Sequence, residues 1–201
     1  VDPTLMTMGM GDIESVDYFV SFQVDLAAMS ASPQGAEIPS NAKRASAWVA
    51  HPDFTMNSMQ NVNGPGTFYD IGLLFLEDPI HDVQPAIVIA ELEDAQLKEG
   101  TSLAIVGWGQ QTAEGGGWMQ PPEPGTVGVK VCADSFINEI GATEMQVGGE
   151  SNTSRKCHGD SGGPSYMTVE TSSSRKERVV GVTSHAYDAS DCAKGGVDTR
   201  V

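Results

Sequence analysis

Residues 157–164 read Cys-His-Gly-Asp-Ser-Gly-Gly-Pro, and how this stretch is read decides how the rest of the chain is read. Gly159, Gly162 and Gly163 surround a single hydroxyl, Ser161. Glycine adopts backbone conformations closed to other residues, so such a run turns sharply and aims N–H groups at one point. A point faced by two N–H groups is an anion site. If Ser161 attacks a carbonyl, the oxygen that becomes negative is received by the N–H groups of Gly159 and Ser161, an arrangement typically worth ~2.7–4 kcal/mol per donor. Gly162 and Gly163 allow close packing beneath the hydroxyl.

The surrounding chain is built for strands. Its 201 residues suit one domain, 39% apolar content suffices for a packed core, and 23 glycines with 11 prolines favour short strands joined by turns. Residues 18–26 (YFVSFQVDL) and 45–51 (ASAWVAH) alternate as half-buried strands, with a turn-rich stretch between them over 30–41. Residues 71–76 (IGLLFL) form a continuous apolar run of the length of a buried strand. Further strands are expected over 103–108, 126–131, 178–184 and 196–201, and a short helix over 133–140. Residues 56–67, 114–125 and 171–177 read as loops or hairpin excursions. No internal repeat and no linker divides the chain.

With 27 acidic against 11 basic residues the net charge is −16, which repels nucleic acid. No apolar run is long enough for a membrane-spanning helix, and no signal-peptide pattern opens the chain. No metal-ligand cluster or cofactor motif is visible. The three cysteines, Cys132, Cys157 and Cys192, make at most one internal bridge.

Residues 159–164, G-D-S-G-G-P, resemble the serine signature of the trypsin-like peptidases, and four other segments are similar to that family in the same order. Residues 70–74 (DIGLL), after His51-Pro52, resemble the strand whose aspartate orients the catalytic histidine. Residues 107–109 (GWG) resemble the entry to the second barrel, and 180–184 (VGVTS) the strand ending in the serine beside that aspartate. Residues 196–201 (GVDTRV) resemble the segment before the C-terminal helix. The fold implied is all-β, two six-stranded Greek-key barrels of the chymotrypsin type, with residues 1–95 the remainder of an incomplete first barrel and 96–201 a second barrel without its C-terminal helix.

The function implied is serine endopeptidase, with Ser161 as nucleophile, Asp70 as the histidine-orienting aspartate, and Gly159 and Ser161 as the oxyanion hole. Asp160 becomes the structural aspartate that in this family pairs with a freed N-terminus. Ser184, His185 and Ala186 would pair with the substrate backbone, His158 would lie over the mouth of the primary pocket, and Arg155, Lys156, Gly196 and Asp198 would form its base. The partners implied are polypeptide substrates or protein inhibitors. Cys157 and Cys192 correspond to the bridge that staples this pocket, which implies an oxidising, secreted location and roughly 3–4 kcal/mol of stabilisation. Cys132 is left as an orphan thiol, since its family partner would fall near Val147.

Two departures stand out. A serine hydroxyl is a poor nucleophile without a base, and none of His51, His81, His158 and His185 occupies the family's histidine motif. The expectation is therefore a histidine upstream of Val1, the alternative an inactive homologue that binds without cutting. At the pocket base the family's lysine- and arginine-specific members carry an aspartate, whereas here stands Arg155, followed by Lys156. A cationic floor opposes trypsin-like preference. Either Arg155 reads acidic side chains as a bidentate partner, or Asp198 pairs with Arg155 and neutralises the floor, the reading ranked first.

Overall fold

In a computed structural model of the chain, residues 17–26, 38–54, 63–111, 127–150, 152–171, 174–188 and 192–201 are described. The strands are β1 (Phe19–Val20), β2 (Lys43–Ala50), β3 (Gly72–Leu76), β4 (Ser102–Gly107), β5 (Val131–Ile140), β6 (Glu144–Val147), β7 (Pro164–Glu170), β8 (Arg175–Ala186) and β9 (Gly196–Arg200). Short 3₁₀ turns at Asp94–Gln96 and Cys192–Lys194 are the only helical pieces among the described residues.

Strands β1, β2 and β3 form an antiparallel sheet, and the other six close into a barrel in the order β4-β5-β6-β9-β8-β7. This is the chymotrypsin-type arrangement of one complete barrel beside a partial sheet. Closure leaves the barrel no unpaired edge. Its interior is filled by Leu103, Ile105, Ile137, Met145, Val147, Met167, Val169 and Val180, which alternate with outward residues along each strand as pleating requires. The connector from β3 to β4 adds Ile89 and Leu97 to this core. It is fastened by Arg178, whose guanidinium donates to both oxygens of Glu93 at 2.7 and 2.9 Å.

Three expectations are corrected. Residues 133–140 lie in β5 instead of a helix. Ala133, Ser135 and Ile137 face inward at period two, but small, polar Ala133 and Ser135 hide that period, while Phe136 and Ile140 at four-residue spacing imitate a helix. Among the described residues strand β3 is not buried: Leu73 and Phe75 are 62% and 52% exposed, and β3 pairs there with β2 in a three-stranded sheet. Within 126–131, Thr126 lies outside the described residues, Val129 makes only an isolated bridge to Asp25, and the strand begins at Val131. Strands β6 and β7 carried no sequence signal that we read. The turn-rich 30–41 is described only from residue 38, and the 56–67 loop only from residue 63. The loop at 114–125 is outside the described residues. The excursion at 171–177 is the tip of the β7–β8 hairpin, with residues 172 and 173 undescribed.

The barrel order fixes where chemistry can occur. Strands β6 and β7 stand on opposite sides of the ring, so the chain joining them, 148–163, must cross one end of the barrel. The register places the ends of β4, β6 and β8 and the starts of β5, β7 and β9 at that same end. The serine turn lies on this crossing.

Candidate active site

Ser161 is exposed at the tip of the crossing chain. The turn beneath it is held from within by Asp160, 8% exposed, whose carboxylate accepts from the Gly109 N–H at 2.8 Å and the Cys157 N–H at 2.9 Å. The Asp160 carbonyl accepts from Gly163, and the Gly162 N–H donates to the Thr183 carbonyl, which ties the turn to β8. Gly159 has φ +92°, a conformation side chains oppose, and a Cβ there would stand 3.0 Å from the Gly109 Cα. Gly107 and Gly109 are required for a different reason: a Cβ on either would collide with the Asp160 carboxylate.

Asp70 arrives from the other sheet, at the end of the 63–70 loop. Its Oδ2 accepts from the Ser184 hydroxyl at 2.8 Å, and its carbonyl accepts from the Thr199 hydroxyl at 3.0 Å. Tyr69 just before it has φ 54°, unusual for a residue with a side chain. The Ser184 hydroxyl also lies 3.0 Å from His185 Nδ1. Ser184, His185 and Ala186 are half-buried at the end of β8, with Ala186 opposite Gly196 on β9.

The Cys157–Cys192 disulfide is present, spanning 35 residues, and Cys132 is a free, exposed thiol. A His158 ring nitrogen lies within 4.8 Å of both bridge sulfurs. Those sulfurs are bonded to each other, so the trio offers no thiolates to a metal.

At the pocket base the expected pairing is corrected. Asp198, fully buried, is held by Lys156, whose Nζ lies 3.1 and 2.9 Å from its two oxygens, and by the Ser165 hydroxyl at 2.6 Å. Lys156 Nζ also reaches the Gly163 carbonyl at 3.3 Å. Arg155 turns away and donates to the Ala193 carbonyl. The shift by one residue follows from alternation: neighbours on an extended segment face opposite ways, and Lys156 is the one directed inward. A cavity of about 400 Å³ does open beside these residues, lined by Arg155, Cys157, Asp160, Gly107, Gln110 and Cys132 among others. Ser161 and Ser184 to Ala186 do not line it, so it lies behind the serine turn.

Two groups escaped the sequence reading. Glu144 is fully buried, with Oε2 accepting from the Gly66 N–H at 2.6 Å, and Phe68 packs its ring edge against His185 at 5.7 Å between centroids. Burial pushes the Glu144 carboxyl above the ordinary carboxylate range, opposed by the Gly66 hydrogen bond and the charge of His185. It stands in Glu-Met-Gln-Val, where polar and apolar residues alternate, yet all four residues are buried. No signal in the sequence marked it.

His51 stacks on Tyr69 with ring centroids 4.7 Å apart, and His81 is exposed. Among the described residues no histidine hydrogen-bonds Asp70 or Ser161.

A family model described as Trypsin matches residues 38–201. Trypsin 5G1 of Aedes aegypti is 31% identical to the chain over 140 residues, which make up 67% of this chain and 50% of that protein. The chain thus spans about half the length of this curated relative.

Proposed function

Since this chain belongs to the trypsin family of serine peptidases, we propose that it is an endopeptidase cleaving peptide bonds through an acyl-enzyme on Ser161. The observation that carries this reading is the placement of Asp70 against Ser184 at 2.8 Å, at the barrel end where the Asp160-braced turn exposes Ser161. In this mechanism Ser161 Oγ attacks the substrate carbonyl while its proton passes to a histidine oriented by Asp70. The Gly159 and Ser161 N–H groups receive the oxyanion. Collapse expels the amine, which takes the proton, and water then releases the acid by the same steps. The base is a histidine other than the four in these 201 residues. Residues 1–95 are on this reading the remainder of a first barrel, and 96–201 the second.

Ser184 to Ala186 offer an extended edge for the substrate backbone, and His158 stands beside the bridge at the pocket rim. The Lys156–Asp198 pair favours a pocket whose floor carries no net charge, hence small or apolar side chains over acidic ones at the cleavage position. Gly196 and Arg155 complete its walls. The disulfide supports a secreted location, with polypeptide substrates or protein inhibitors as partners.

A second reading, a catalytically inactive homologue that binds protein, is favoured by one observation: none of the four histidines bonds to Asp70 or Ser161 among the described residues. Reaction of the full-length protein with a fluorophosphonate probe, mapped by peptide mass, separates the two. The peptidase reading expects the adduct on Ser161, its loss in S161A, and a roughly 10⁴-fold fall in turnover in D70N. A folded protein that takes no probe and cleaves no peptide overturns it.

A further inference from the structure

We propose that Glu144 is a positioning residue for the reaction, holding the loop that carries Asp70 against the barrel. The inference rests on the peptidase reading above.

Asp70 lies on a chain segment whose regular structure belongs to the other sheet, so its carboxylate is only as well placed as the 63–70 loop is docked. That docking is concentrated on the β5–β6 hairpin. Glu144 Oε2 receives the Gly66 N–H at 2.6 Å, and the Thr143 hydroxyl donates to the Gly66 carbonyl at 2.9 Å. A Cβ at Gly66 would press on the Phe68 ring, so a side chain there would shift Phe68. Phe68, 6% exposed, then meets the His185 ring edge-on, and His185 Nδ1 lies 3.0 Å from the Ser184 hydroxyl that binds Asp70. A further bond, from the Gly64 N–H to the Tyr187 carbonyl, secures the start of the loop. One carboxylate thus connects through the Gly66 amide and the Phe68 ring to the serine that fixes Asp70.

The surroundings argue against a purely structural purpose. A fully buried glutamate is rare unless paired, and replacing such a group by an apolar residue of similar volume commonly stabilises a protein. Here Glu144 Oε1 and His185 Nε2 are both buried without a hydrogen-bond partner among the described residues. Unsatisfied buried groups call for an explanation, and the geometry supplies one: the carboxylate is kept for the Gly66 amide that its other oxygen holds.

The test compares E144A, E144Q and T143V in the full-length protein by amide hydrogen exchange and steady-state kinetics. In E144A, exchange at Gly66 and Phe68 quickens at least tenfold relative to the β7 and β8 amides, and kcat falls roughly 10- to 100-fold with KM within twofold, the scale expected when a catalytic group is misplaced by about 1 Å. E144Q, whose amide oxygen can still accept from Gly66, recovers most of both losses. If E144A does not fold, T143V carries the test, with the same amides loosened and kcat reduced roughly 3- to 10-fold. An active wild-type protein whose variants keep their exchange pattern or their kcat overturns the positioning role alone. So does a uniform rise in exchange across the barrel. A wild-type protein without turnover or probe adduct overturns the peptidase reading, and this inference with it.

Discussion

Replacing Lys156 by methionine removes the ammonium from Asp198 and leaves a carboxylate at 0% exposure with only the Ser165 hydroxyl as its side-chain donor. Breaking a buried pair from one side typically costs about 3–5 kcal/mol, because the remaining charge is stranded in a poorly polarisable interior. For a domain of this size that corresponds to a fall in Tm of roughly 6–20 °C. R155A gives up a hydrogen bond to a backbone carbonyl at a half-buried position and is expected to cost about 0.5–1.5 kcal/mol. Thermal and urea unfolding of K156M, R155A, D198N, K156M/D198N and R155A/D198N form the assay. The double variant is expected to be more stable than K156M alone, because a neutral amide does not need the ammonium. If R155A is as damaging as K156M, or if D198N suppresses the R155A defect instead, the assignment of Lys156 as partner is wrong.

On the proposed peptidase reading, G107A is expected to fold while losing roughly 10²- to 10³-fold in kcat, since its methyl group displaces the Asp160 carboxylate that braces the serine turn; an unchanged kcat removes that role from Asp160. Iodoacetamide on the folded, unreduced protein should add one label, on Cys132, and C157S/C192S should lower stability by roughly 3–4 kcal/mol in calorimetry. The Glu144 carboxyl has a higher affinity for its proton folded than unfolded, so the stability it contributes is complete below its unfolded value of 4.5 and is lost as pH rises through the folded value. Urea midpoints of wild type relative to E144Q should therefore decline from pH 4 towards neutrality, whereas a constant difference would show that burial does not perturb this carboxyl.

The sequence disclosed most where chemistry constrains residue type directly. The strands beside Asp70 and Ser184 and the Cys157–Cys192 bridge were legible through the resemblance of their motifs to the trypsin-like peptidases. It disclosed less where neighbours decide. Alternation could not tell whether Arg155 or Lys156 turns inward, because that depends on Asp198 arriving from β9. The Val131–Ile140 strand looked helical because its inward residues include Ala133 and Ser135, too small and polar to register as a core face. Apolar 71–76 suggested burial, yet burial requires a covering layer that the described part of the three-stranded sheet does not supply. Glu144 was hidden for the same reason in reverse: nothing in Glu-Met-Gln-Val announces that a loop whose Gly66 lies 78 residues earlier will dock on it.

The diametric crossing from β6 to β7 has a consequence for folding order. The seam that closes the barrel, where Ala104 and Ile105 meet Tyr166 and Ser165, joins segments far apart in the chain, and such contacts form late because their loop entropy must be overcome first. Gly107 and Gly109, which receive Asp160, lie on β4 and the turn following it, so the reactive turn acquires its shape only when that seam shuts. In a partly folded chain Ser161 sits on a slack tether, without the Gly107 and Gly109 contacts that hold Asp160 beneath it. On the peptidase reading proposed above, the same topology would withhold reactivity until the barrel is complete.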